Sequence, residues 1–180
     1  MTVAVHDFRK SLEKSAAYVD ADWWPIVYRR AFPTLSAYSS VRQDGWAQRA
    51  GIDRILTLAC GRVIRIDEKI RDKDYGDILL EYWSDRDRQI HGWILKPLAC
   101  DFIAYAVAPT KICYLFDTVL LQRAWKQNAA QWDAAMKGGD RRFKKCEAVN
   151  KGYVTVSLAV PLDVLLTAIQ SASIISWEDA

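Results

Sequence analysis

Gly51 to Arg71 reads GIDRILTLACGRVIRIDEKIR, two short apolar runs joined at Cys60-Gly61, with Asp53 ahead of the first run and Asp67-Glu68-Lys69 inside the second. The first run is rich in Ile, Leu and Thr, isoleucine recurs at 64, 66 and 70 in the second, and Cys60-Gly61 supplies a tight turn, so the stretch predicts a β-hairpin. In an extended strand successive side chains point to opposite faces. Arg65, Asp67, Lys69 and Arg71 then form a charged stripe on one face, while Ile64, Ile66 and Ile70 fall on the other with Glu68 among them. A hairpin also brings Asp53 towards Asp67.

Two carboxylates on adjacent strands suit Mg²⁺, which takes oxygen ligands and keeps waters for a phosphate substrate and its nucleophile. A lysine beside them can orient or help deprotonate the attacking water and offset charge on a pentavalent phosphate. A solvated edge strand with Asp53 capping a turn is the competing reading. It leaves unexplained why a charged stripe would lie within so apolar a stretch.

The pattern Ile52-Asp53, then Asp67-Glu68-Lys69, resembles the PD-(D/E)XK nuclease superfamily, with Ile52 where the name-giving proline would stand. The resemblance implies a restriction-endonuclease-like α/β (α+β) fold, a central mixed β-sheet flanked by helices. It further implies metal-dependent phosphodiester hydrolysis with Mg²⁺ or Mn²⁺, Asp53 and Asp67 as ligands and Lys69 as the catalytic lysine. Glu68 and Glu81 are the further ligand candidates, and Asp77 and Gln48 are additional acidic or amide candidates. Gln48 lies five residues before Asp53, where family members often add such a residue. The same resemblance suggests a homodimer for enzymes that cut both strands, and phage or mobile elements as a source. The alternative from another class is a non-catalytic, nuclease-like accessory protein that binds nucleic acid or protein.

Outside the motif, 180 residues with 51% hydrophobic and 26% charged side chains fit one globular domain spanning 1–180. No apolar run approaches a membrane span, and Met1 to Lys14 lacks a secretory core, so the expectation is an intracellular, cytoplasmic protein without a membrane partner. Cys60, Cys100, Cys113 and Cys146 show no CxxC pair and read as reduced thiols. His91 has no Cys or Ser at triad spacing.

Periodicity predicts helices over Val5 to Tyr18, Asp22 to Ala31, Ser36 to Ala50, Val119 to Met136 and Leu162 to Ser171. Further strands are expected over Asp77 to Ser84, Gln89 to Leu95, Phe102 to Val107, Tyr114 to Thr118 and Tyr153 to Val160. Net charge is only +3, yet between Leu120 and Lys151 eight Lys and Arg residues stand against Asp133, Asp140 and Glu147. Arg141, Arg142, Lys144 and Lys145, split by Phe143 after Gly-Gly-Asp, read as a loop for phosphate-backbone contact, with DNA favoured over RNA. The eight tryptophans are mostly core by this reading, with base stacking open to some.

Overall fold

In chain order the elements are α1 (Trp24–Ala31), β1 (Leu35–Ser40), α2 (Gly45–Arg49), β2 (Arg54–Leu58), β3 (Val63–Arg71), β4 (Asp77–Asp85), β5 (Ile90–His91), β6 (Phe102–Val107), β7 (Ile112–Asp117), α3 (Thr118–Lys137), β8 (Lys144–Asn150), β9 (Tyr153–Pro161), α4 (Leu162–Ile169) and β10 (Ser173–Ser176). This computed structural model describes Tyr18 and residues 21–178, and the helix expected over Val5 to Tyr18 lies outside them except for its last residue. Mixed α/β structure is as expected. The single central sheet is not: the strands divide between a six-stranded and a four-stranded sheet. Each belongs to its own compact unit, residues 21–75, 97–120 and 171–178 to the first and residues 76–96 and 121–170 to the second.

The first unit carries the order β1-β2-β3-β6-β7-β10. The hairpin forms as predicted, Arg54 opposite Ile66 and Leu56 opposite Ile64, closed by Leu58 N–H donating to the Arg62 carbonyl at 2.9 Å. Gly61 sits at φ +82° in that turn, a backbone conformation that disfavours other residues, and Cys60 beside it is exposed. β3 then runs parallel to β6, which places Asp67 beside Ile103 and Lys69 beside Tyr105. A parallel pair needs a long crossover, here residues 72–101.

The helix expected over Ser36 to Ala50 is a correction. Its first five residues are edge strand β1, paired antiparallel with β2, and only Gly45–Arg49 is helical. Three serines in six residues offer hydroxyls that compete with helical hydrogen bonds, and exposure of every residue from Ser36 to Ser40 fits a solvated edge. On the core face Leu56, Ile64, Ile66, Ala104, Ala106 and Leu115 pack against Trp24, Val27 and Tyr28 of α1. Each fully buried large side chain in such a cluster contributes about 1.5–3 kcal/mol.

The second unit is the antiparallel sheet β5-β4-β9-β8 with α4 and most of α3. The strand expected over Gln89 to Leu95 shrinks to Ile90–His91. Conversely, β8 occupies residues expected as loop, and β10, in the first unit, was not foreseen. Among the described residues no helix is long and apolar enough to cross a membrane.

Candidate metal centre

Asp53 ends the connection from α2, and its N–H donates to the Ile66 carbonyl at 2.8 Å, which locks it to the middle of β3. Its Oδ2 accepts the Glu68 N–H at 2.8 Å, and its Oδ1 faces Arg42 Nη1 at 3.3 Å. Asp67, 4% exposed, lies close enough to Asp53 for a proton on one carboxyl to bond the other. Asp67 Oδ1 accepts from Lys69 Nζ at 2.6 Å, whereas its Oδ2 is buried and has no hydrogen-bond partner among the described residues. Burial above all, and then the Asp53 charge, push the Asp67 carboxyl up to about 6, against the lowering pull of Lys69. Three of the predicted residues thus meet as the strand geometry requires.

Glu68 does not join them. It projects to the opposite face of β3 among the isoleucines, where Tyr28 Oη and Arg54 Nε, the latter at 2.8 Å, donate to Oε1. Arg42 Nη2 at 2.8 Å and Arg54 Nη2 at 3.4 Å donate to Oε2. Burial and the Glu68 charge hold the Tyr28 phenol well above its usual range. With both oxygens saturated by cations, Glu68 offers no lone pair facing Asp53 and Asp67.

Arg42, Arg54 and Tyr28 were not anticipated as part of the surroundings. The signal lay in the period of two, because an acid at an isoleucine position demands a buried cation. Arg42 is the bridging residue, touching Asp53 with one nitrogen and Glu68 with the other.

Glu81 and Asp77 lie on β4 of the second unit. Gln48 is exposed on α2. Among the described residues no group of three or more His, Cys, Asp or Glu side chains is placed to hold a metal ion. The Asp53–Asp67 pair nevertheless fits Mg²⁺, which proteins commonly hold through one or two carboxylates plus water and substrate phosphate. The orphaned buried Asp67 Oδ2 is the atom that such an ion would satisfy. Nearby, the Cys100 thiol, paired with the Thr118 hydroxyl at 3.3 Å, is pushed up to about 11 by burial. That keeps it a thiol and not a soft metal ligand.

The basic segment of the second unit is less available than its composition suggests. Arg142 bonds Asp140 at 3.2 Å and lies 3.6 Å from Asp163, and Lys145 pairs with Glu147 at 2.7 Å. Phe143 is buried, a core anchor between the charges. Arg141 and Lys144 carry no ion pair among the described residues, and Lys144 and Lys145 open edge strand β8.

Comparison of the chain with protein-family models, with curated proteins and with solved structures gives no match.

Proposed function

We propose that the first unit carries the catalytic centre of a metal-dependent nuclease with a restriction-endonuclease-like core, hydrolysing phosphodiester bonds in DNA. The observation that carries this reading is the unpartnered, buried Oδ2 of Asp67, a carboxyl that lies close to that of Asp53, with Lys69 Nζ 2.6 Å from the other Asp67 oxygen. A divalent ion held by Asp53 and Asp67 would supply Lewis-acid polarisation of the phosphate and a water of lowered pKa. The protein's own part is orientation and charge. Asp53 is held through both oxygens, so its position is set before substrate enters. Lys69 is half-buried on the Asp67 face, where its ammonium donors can align a water for attack on phosphorus and offset the extra negative charge as the P–O bond to the leaving group breaks. Burial beside Ile103 and Tyr105 strengthens each of these interactions.

A second reading, a nuclease-like binding protein without catalysis, draws on a different observation. Arg42 against Asp53 and Lys69 against Asp67 already set a cation beside each carboxylate. The two readings part in one experiment: calorimetric titration with Mn²⁺, together with incubation on supercoiled, linear duplex and single-stranded DNA in Mg²⁺, Mn²⁺ or EDTA. Metal binding and metal-dependent cutting that vanish in Lys69→Ala support the nuclease. DNA binding with neither metal uptake nor cutting supports the binding protein.

A further inference from the structure

Of the eight tryptophans, all among the described residues, only Trp46 is exposed, at 67%. It stands on α2, in the connection from Arg42 to Asp53. The base of that connection is closed twice, by the Arg42–Asp53 ion pair at 3.3 Å and by Val41 N–H donating to the Asp53 carbonyl at 2.9 Å. Its tip is equally determined. Asp44 Oδ1 accepts from the N–H groups of Trp46 and Ala47, both at 2.8 Å, and Ala47 is buried. Ile52 N–H returns to the Ala47 carbonyl at 2.9 Å, and Ala99 N–H holds the Ala50 carbonyl at 2.8 Å. Gly51 turns the chain at φ +69°, so close to Leu98 that a Cβ there would lie 2.5 Å from Leu98 Cδ2. A large apolar ring is therefore held out in water by a rigid support, which folding alone does not reward.

We infer that Trp46 stacks on an unstacked base of the nucleic acid whose phosphate lies at Asp53 and Asp67, so that the substrate is single-stranded or opened next to the cleaved bond. The inference rests on the nuclease reading for the position of the phosphate. Four residues of chain reach at most about 14 Å, so Trp46 lies no farther than that from Arg42, roughly four nucleotides of a strand. Charge selects nucleic acid over an apolar protein patch. Arg49 on the same helix folds back over Gly45, its Nη1 3.5 Å from where a Cβ would stand, and has no ion pair among the described residues. An exposed aromatic face with, on the same helix, a guanidinium that makes no ion pair among the described residues is the pairing that single-strand binders use, stacking for the base and a cation for the backbone.

The test measures binding without cutting, in Mg²⁺, in a Lys69→Ala background, by fluorescence anisotropy on a labelled single-stranded oligonucleotide and on its blunt duplex. Trp46→Ala is expected to weaken single-strand binding about tenfold and duplex binding less than twofold, with an unchanged thermal midpoint, and Trp46→Phe to restore most of the loss. Arg49→Ala is expected to flatten the salt dependence of single-strand binding by roughly 0.7 in the log–log slope. Unchanged single-strand affinity in Trp46→Ala, or no affinity for DNA in the parent, overturns the inference and points to a protein partner for the indole. Equal loss on both substrates overturns it as well. Single-strand selectivity that depends on Trp46, in a protein that never cuts DNA, keeps the stacking role of Trp46 and removes the nuclease reading, and with it the phosphate from Asp53 and Asp67.

Discussion

Two neighbouring carboxylates on β3 are buried alike and furnished in opposite ways. Glu68, 5% exposed, receives hydrogen bonds from a tyrosine and two arginines; Asp67, 4% exposed, receives one from Lys69, and its second oxygen receives none. A buried carboxylate costs several kcal/mol unless it is paired. Saturation on one face and deficit on the other therefore separate two uses of the same chemical group. Glu68 fastens α1, Arg42 and β2 to the sheet. Asp67 keeps a buried acceptor oxygen without a hydrogen bond among the described residues, beside Asp53 and Lys69.

The sharpest way to break this contrast is through cleavage. Asp67→Ala and Lys69→Ala are each expected to lower metal-dependent DNA cutting by at least about 10²–10³-fold while leaving the circular dichroism spectrum and thermal midpoint near the parent's. Cutting that survives either change would reject the site. Next in size is stability. Glu68→Ala removes the carboxylate shared by Arg54 and Arg42, leaving Arg42 only its contact with Asp53, and urea unfolding should show a loss of about 3–5 kcal/mol. Asp67→Asn, which removes an unfavourably buried charge, should be neutral or stabilising in the same assay.

Titration gives a smaller effect and fixes its sign. The Asp67 carboxyl sits at about 6 in the folded chain against 3.8 for an ordinary aspartate, so between those values the native state holds a proton that the unfolded chain has lost. Stability from this group is then fully present well below 3.8, falls as pH rises through the folded value of about 6, and levels off only above it. The change is on the order of 2–3 kcal/mol, and it should disappear in Asp67→Asn. Mn²⁺ affinity should run the other way, rising with pH through the same window as metal displaces the proton; calorimetry at pH 5 and pH 7.5 reads it directly. Smallest is the basic segment. Joint replacement of the unpaired Arg141 and Lys144 by alanine should lower the salt slope of DNA binding by about 1–2, and replacement of the ion-paired Arg142 and Lys145 by clearly less. Equal effects would deny the distinction between engaged and available cations.

The hairpin was legible because two cues agreed: β-branched runs and a glycine turn set the register, and the register alone brings Asp53 to Asp67. The sequence puts Glu68 on the isoleucine face but does not show that it is no ligand, since its partners include Tyr28 and Arg42, and no local pattern pairs those residues with it. The helical spacing of Ser36 to Ser40 does not decide its structure, because its strand character comes from pairing with β2, a tertiary cause. Lys144 and Lys145 read as loop for a similar reason: what makes them strand is the partner β9. Phe143 looked like an interruption in a charge run, and its burial explains why it is there.

The crossover between β3 and β6 has a consequence for synthesis. Asp53, Asp67 and Lys69 all emerge early, yet the strand that flanks β3 on its second side begins only at Phe102, and the sheet gains its last strand at Ser173. On the ribosome the carboxylate pair must wait through residues 72–101 with one side of its strand unpaired, an aggregation-prone edge during translation. So many distant pairings also place the domain among slow folders, in the millisecond-to-second range. Stopped-flow refolding followed by tryptophan fluorescence would detect that delay, and a microsecond phase carrying the full amplitude would contradict it.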